Sequence, residues 1–173
     1  IVIKASNVIY DCNGYALIGN STGNSLGILV YDNVTNVTIQ NCIATNYSKG
    51  FSANRNNRTT FINNAAYLNT GDGFEVFMNL NLTMRNNTAY NNTYYGFIIS
   101  GLPKGMNLLS SDSYSASFNT NLTDNKAYDN SYSGFKLERL SNNLLVRNNA
   151  SRNHRHGFDF SEFTHLSDIL GNN

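Results

Sequence analysis

Gly27, Gly50, Gly73 and Gly96 stand 23 residues apart, and Gly134 and Gly157 repeat the interval. Between Gly96 and Gly134 the step is 38, one period and 15 residues more. So short a period constrains the fold strongly, because a unit of this size cannot bury its apolar face alone and must stack on its neighbours. Aligned on the glycines, four further rows emerge. Asn41, Asn64, Asn87, Asn125 and Asn148 precede them by nine residues, and Asn46, Asn69, Asn92, Asn130 and Asn153 by four. Ile43, Ala66, Ala89, Ala127 and Ala150 precede them by seven, and Ile28, Phe51, Phe74, Phe97, Phe135 and Phe158 follow directly.

A leucine-rich repeat needs a leucine scaffold that is missing here. Helical repeats are longer and richer in Ala, Leu, Glu and Lys. Segments such as Phe74-Glu75-Val76-Phe77 and Leu82-Thr83-Met84-Arg85 are short and made of strand formers,. Asn, Gly and Ser punctuate them, as turns require. The pattern therefore predicts an all-β, single-stranded parallel β-helix of about seven coils. Its Asn rows would sit at the corners, where this residue tolerates a left-handed backbone and its amide can bond to the coils on either side. The Ala row would line a tight inner corner. The Phe row would form an aromatic column, each ring contributing roughly 1.5–3 kcal/mol by burial. Alternation sends Glu75, Lys136, Glu138, Asp159 and Ser161 outward.

The length predicts one domain, residues 1–173. Within it, residues 1–26 read as an irregular first coil and 102–117 as an inserted, Ser-rich loop holding the single proline. The chain opens at Ile1 in a strand-like run and offers no polar cap at either end, so a segment of a longer polypeptide is expected. A net charge of +1 gives no basic field to recruit nucleic acid,. No apolar run is long enough to cross a bilayer. The phrase around Cys12 echoes the one around Cys42, which places the two in adjacent coils. They either form a disulfide, worth roughly 3–4 kcal/mol for a loop of this size, or remain as buried thiols. Pairing would imply an oxidising compartment.

In its glycine and asparagine rows, and in the opening Asn7-Val8-Ile9-Tyr10-Asp11-Cys12-Asn13-Gly14-Tyr15 with Gly19 to Gly23 after it, the chain resembles the right-handed parallel β-helix repeat proteins. These include the NosD-like and carbohydrate-binding/sugar-hydrolase repeat families abundant on archaeal cell surfaces. The resemblance covers the whole chain and implies the fold. It says less about function, because this fold hosts lyases, hydrolases, epimerases, adhesins and inert spacers. A local stretch, His156-Gly157-Phe158-Asp159-Phe160-Ser161-Glu162, is similar to the Tyr-Gly-Phe-Asp-Pro-His-Glu phrase of mannuronan C5-epimerases. That resemblance implies a catalytic role for Asp159. His156 stands where the family has Tyr, and Ser161 where it has His.

Epimerisation or elimination on a uronate polymer needs a cation to neutralise the carboxylate and a base beside it. Lys136 and Asp159, one above the other, with His156 nearby, are the candidate catalytic residues. The same pair on an ordinary surface contributes at most about 1 kcal/mol. His154, His156 and His165 do not share one row, and no metal or cofactor motif occurs, so neither is expected. Ten Asn-x-Ser/Thr sequons occur, and Asn33, Asn57, Asn91 and Asn121 are the expected glycosylation sites,. Uniform laps, few charges, many sequons and uncapped ends together predict an extracellular structural solenoid of an envelope, sheath or filament. It would be glycosylated, would self-associate end to end or laterally, and would touch glycans. The alternatives are a uronate-polymer epimerase or lyase and a glycan-binding adhesin module.

Overall fold

The computed structural model describes residues 1–101, 119–161 and 166–173. The loop expected at 102–117, and Glu162 and His165, lie outside the described residues. The chain winds into a parallel β-solenoid of three sheets, two with seven strands and one with six. Six complete laps are followed by two strands of a seventh. The first sheet runs through Val2–Ile3, Leu26–Val30, Lys49–Asn54, Phe74–Phe77, Phe97–Ser100, Phe135–Glu138 and Phe158–Ser161. Every strand pairs in parallel with the equivalent strand one lap away, as a coil with one strand per face per turn requires,.

The core is columnar. From Phe51 through Phe74, Phe97 and Phe135 to Phe158, successive rings stack at 4.6–4.9 Å with planes within 8° of parallel. Phe61 of the second sheet meets Phe51 and Phe74 edge-on, at 6.1 and 5.9 Å, the geometry that ring quadrupoles favour. The alanines occupy the middle of the short third-sheet strands rather than a corner: Ala66 and Ala89 are central in Ala65–Tyr67 and Thr88–Tyr90. They are small because the glycines face them. A Cβ on Gly73 would lie 2.6 Å from the Gly96 carbonyl oxygen and 2.9 Å from the Ala89 Cβ. The glycine row is thus fixed by crowding.

The asparagine rows are buried spines. Asn64, Asn87, Asn125, Asn148 and Asn172 form one, and Asn69, Asn92, Asn130 and Asn153 the other. Each amide before the last of its spine bridges three laps: Asn87 Nδ2 donates to the Phe61 carbonyl (2.9 Å) and to Asn125 Oδ1 (3.0 Å), while its Oδ1 accepts from the Asn64 backbone N–H (3.0 Å). The left-handed backbone expected of these residues belongs instead to the residue before each, such as Asn63, Asn86, Asp124 and Arg147. The corner divides its two requirements between neighbours, one bending the chain and one satisfying its polar groups. Asn56 and Asn79 make a third, shorter spine, donating to the carbonyls of Val30 and Ala53.

The first members of three rows are corrected by one residue. Cys42, Ala44 and Tyr47 occupy the places expected for Asn41, Ile43 and Asn46: Ala44 pairs with Ala66, and the backbone N–H groups of Cys42 and Tyr47 donate to Asn64 and Asn69. The second lap has one extra residue between Val30 and Thr35, where the offset to the next lap falls from 23 to 22. Cys42 is therefore the spine's upper neighbour. Its disulfide to Cys12 continues in covalent form a column that hydrogen bonds hold below it.

Candidate functional site

The outward face of the first sheet carries a shallow trough with a cavity of about 500 Å³. One outward row reads Leu29, Ser52, Glu75, Ile98, Lys136, Asp159, and the next Asn54, Phe77, Ser100, Glu138, Ser161. Parallel pairing fixes these neighbours, because residues one lap apart must lie side by side. Acid–base pairs crowd both ends of the trough. Lys49 bonds Glu75 at 2.6 Å, and Ser52 donates to the same carboxylate. At the other end Lys136 meets Glu138 at 3.1 Å and Asp159 at 3.9 Å, with Arg139 3.4 Å from Glu138. The Tyr95 ring lies 5.4 Å from the Lys136 ammonium, within cation–π range. Between the charged ends is an uncharged rung, Ile98 and Ser100.

Burial alone would pull the Lys136 ammonium down and push the Glu138 carboxyl up. Their mutual hydrogen bond and opposite charges outweigh it, holding Lys136 above and Glu138 below their usual ranges,. Asp72 behaves otherwise. Burial pushes its carboxyl up to about 6, and the Glu75 charge adds to this, although the Tyr95 backbone N–H donates to it at 3.0 Å. That raised value suits it to holding a proton near neutrality,.

Of the sequence candidates, Lys136 and Asp159 are direct register partners on the outward face of the first sheet, beside the Glu138 that lines the cavity. His156 belongs to the column before the glycines, beside Ser133, and its side chain is exposed. No hydrogen bond or ion pair joins it to Lys136 or Asp159 among the described residues. Asp72 and Tyr95 were not anticipated. Both lie one residue before a repeat glycine, in a column with Lys49, Ser133 and His156 whose chemistry changes at every lap. The same alignment could have displayed that column, but its lack of uniformity hid it. The expected glycosylation residues lie elsewhere: Asn33, Asn91 and Asn121 are exposed, and Asn57 is half-buried, accepting from Asn81 Nδ2.

Three sheets, amide spines and parallel pairing lap upon lap define a right-handed β-solenoid. The chain belongs to the right-handed β-helix family, whose model, the right handed beta helix region, matches residues 2–173. Among solved structures it resembles the A-module of the Azotobacter vinelandii mannuronan C-5 epimerase AlgE4, with a TM-score of 0.64 and 20% identity over 91% of this chain. The chain spans 49% of that module's length. An alginate lyase from Paenibacillus sp. str. FPU-7 aligns more distantly, with a TM-score of 0.33 and 11% identity over 97% of this chain and 88% of that one. No curated protein sequence matches the chain.

Proposed function

We propose that this chain is an extracellular β-solenoid, a rigid element of an envelope, sheath or filament, that holds polysaccharide in the first-sheet trough without processing it. One observation carries the binding preference. The trough's cations are already neutralised within the sheet: Lys49 by Glu75, Lys136 by Glu138 and Asp159, and Arg55 by Asp32. A uronate polymer would have to displace a protein carboxylate before reaching them. An uncharged glycan can instead hydrogen-bond to these polar rims while an apolar ring face rests on Ile98. The Cys12–Cys42 disulfide and the abundance of sequons support an oxidising, extracellular setting,. Retention on immobilised neutral and uronate polysaccharides tests the reading. Preferential retention of the protein by a neutral polymer, weakened by Ile98→Arg, is expected. Equal indifference to every polymer refutes it.

A second reading, a uronate-polymer epimerase or lyase, is favoured by the Lys136–Asp159 rung and by Asp72, a carboxyl able to exchange a proton near pH 6. The similar module is by name a mannuronan epimerase. Incubation with mannuronan, followed by ultraviolet absorbance for unsaturated ends and proton NMR for C5 inversion, decides the matter. Turnover lost in Asp159→Asn would replace the first reading with the second.

A further inference from the structure

The ten sequon asparagines are distributed unevenly around the coil. None lies on a first-sheet strand, although that sheet contributes seven strands. Asn36, Asn57 and Asn121 fall on the second sheet, Asn149 on the third, and the remainder in the turns. The sequons also divide by what their amide nitrogens do. Asn36 Nδ2 donates to Asn7, Asn81 Nδ2 to Asn57, and Asn86 Nδ2 to Asn63, at 2.8–2.9 Å. These three amides are rungs of outer ladders, and a sugar on the nitrogen would lie where the neighbouring lap's side chain already sits. Asn20, Asn33, Asn91, Asn121 and Asn149 are exposed, and among the described residues none of their amide nitrogens donates to a neighbour. At two of them the sequon is folded in on itself. The Thr22 hydroxyl donates to Asn20 Oδ1 at 2.7 Å, and the Thr123 hydroxyl to Asn121 Oδ1 at 2.8 Å, which leaves Nδ2 pointing to solvent.

We infer that Asn20, Asn33, Asn91, Asn121 and Asn149 carry N-linked glycans while Asn36, Asn81 and Asn86 stay bare, so that the sugars stand on the second and third sheets and the turns and none on a first-sheet strand. The donor is a lipid-phosphate-linked oligosaccharide. The amide nitrogen bonds to its anomeric carbon, the bond from that carbon to the phosphate oxygen breaks, an amide proton passes to a base of the host transferase, and the lipid phosphate leaves as an anion. The inference does not depend on what the trough binds, or on whether it binds anything.

The test is glycopeptide mass spectrometry of the full chain secreted, folded and disulfide-bonded from a host that modifies Asn-x-Ser/Thr. Sugar on most of the five exposed residues, with none on Asn36, Asn81 or Asn86, is the expected result. Removing one site, as in Asn121→Gln, should lower the intact mass by one glycan and leave the circular dichroism spectrum unchanged. Sugar on any of the three laddered residues, or its absence from most of the five, overturns the inference. Retention on polysaccharide supports is read separately, so loss of the trough's function and loss of this inference give different results.

Discussion

Replacing Asn87 by Leu tests the spine directly. The residue is fully buried, and its side chain makes four hydrogen bonds to other laps. Leucine matches its bulk and offers none. Two of the partners are partly protected: Asn64 Nδ2 keeps its bond to the Ile39 carbonyl, and Asn125 Oδ1 keeps the Asn87 backbone N–H. The Asn64 backbone N–H loses its acceptor, and a buried donor left alone costs about 1–3 kcal/mol. The other three bonds contribute roughly 0.5–1.5 kcal/mol each in net terms, and added apolar burial offsets part of the loss. A destabilisation of about 3–5 kcal/mol follows, a large share of the roughly 5–15 kcal/mol that holds an ordinary domain together. Guanidinium unfolding followed by circular dichroism measures it. The control is the adjacent, exposed Asn86→Gly, which accepts the left-handed backbone at that position and loses a single surface bond,. If Asn87→Leu lowers stability by less than about 1 kcal/mol, or no more than the control does, the amide spine is incidental to the fold.

Three other perturbations have defined outcomes. Reducing Cys12–Cys42, or replacing both cysteines by Ser, should cost roughly 3–4 kcal/mol by loop closure, read as a lower denaturation midpoint; no change would mean that the first lap is already fixed without it. Asp72 has a folded pKa of about 6 against 3.8 when unhindered, so the unfolded chain releases its proton first. The Asp72 contribution to stability should be greatest below pH 4, fall by about 2–3 kcal/mol between pH 4 and 6, and level off above that, seen as the difference between the wild-type and Asp72→Asn profiles,. Asp72→Asn should remove that slope and raise the thermal midpoint at pH 7; an unchanged profile would refute the burial argument. Gly73→Ala places a methyl group against the Gly96 carbonyl and Ala89 and should cost about 1–3 kcal/mol. Gly23→Ala, where nothing lies within 4 Å, carries only the left-handed backbone cost of about 1 kcal/mol; equal losses at the two sites would show that crowding does not fix the row.

The rows from Asn64 onward could be read in the sequence because every lap there repeats the same physical contacts, and contacts between like residues require like residues. The second lap misled the alignment. It carries one extra residue before Thr35 and is one short after Tyr47, so its glycines keep the 23-residue interval while Asn41, Ile43 and Asn46 fall out of register between them. Two of those are asparagines beside the true positions, and residue identity could not reveal the slip. The division of corner duties between Asn63 and Asn64 was hidden for the same reason. The trough was legible only in part. Lys136 above Asp159 follows from the period, but Asp72 and Tyr95 draw their properties from burial and from neighbours on other laps, which no uniform row announces.

The 38-residue step between Gly96 and Gly134 deserves a last comparison with the spines that cross it. Asn87 bonds Asn125 and Phe97 stacks on Phe135 at the same distances found where the step is 23. The added length disturbs neither column, so chain can be spliced in at this step without loss of register in the rod. Foreign peptide of similar length placed after Gly101 should leave both columns in register. Whatever varies among descendants of this chain has an open place to vary there, while the laps on either side stay bound to their sequence.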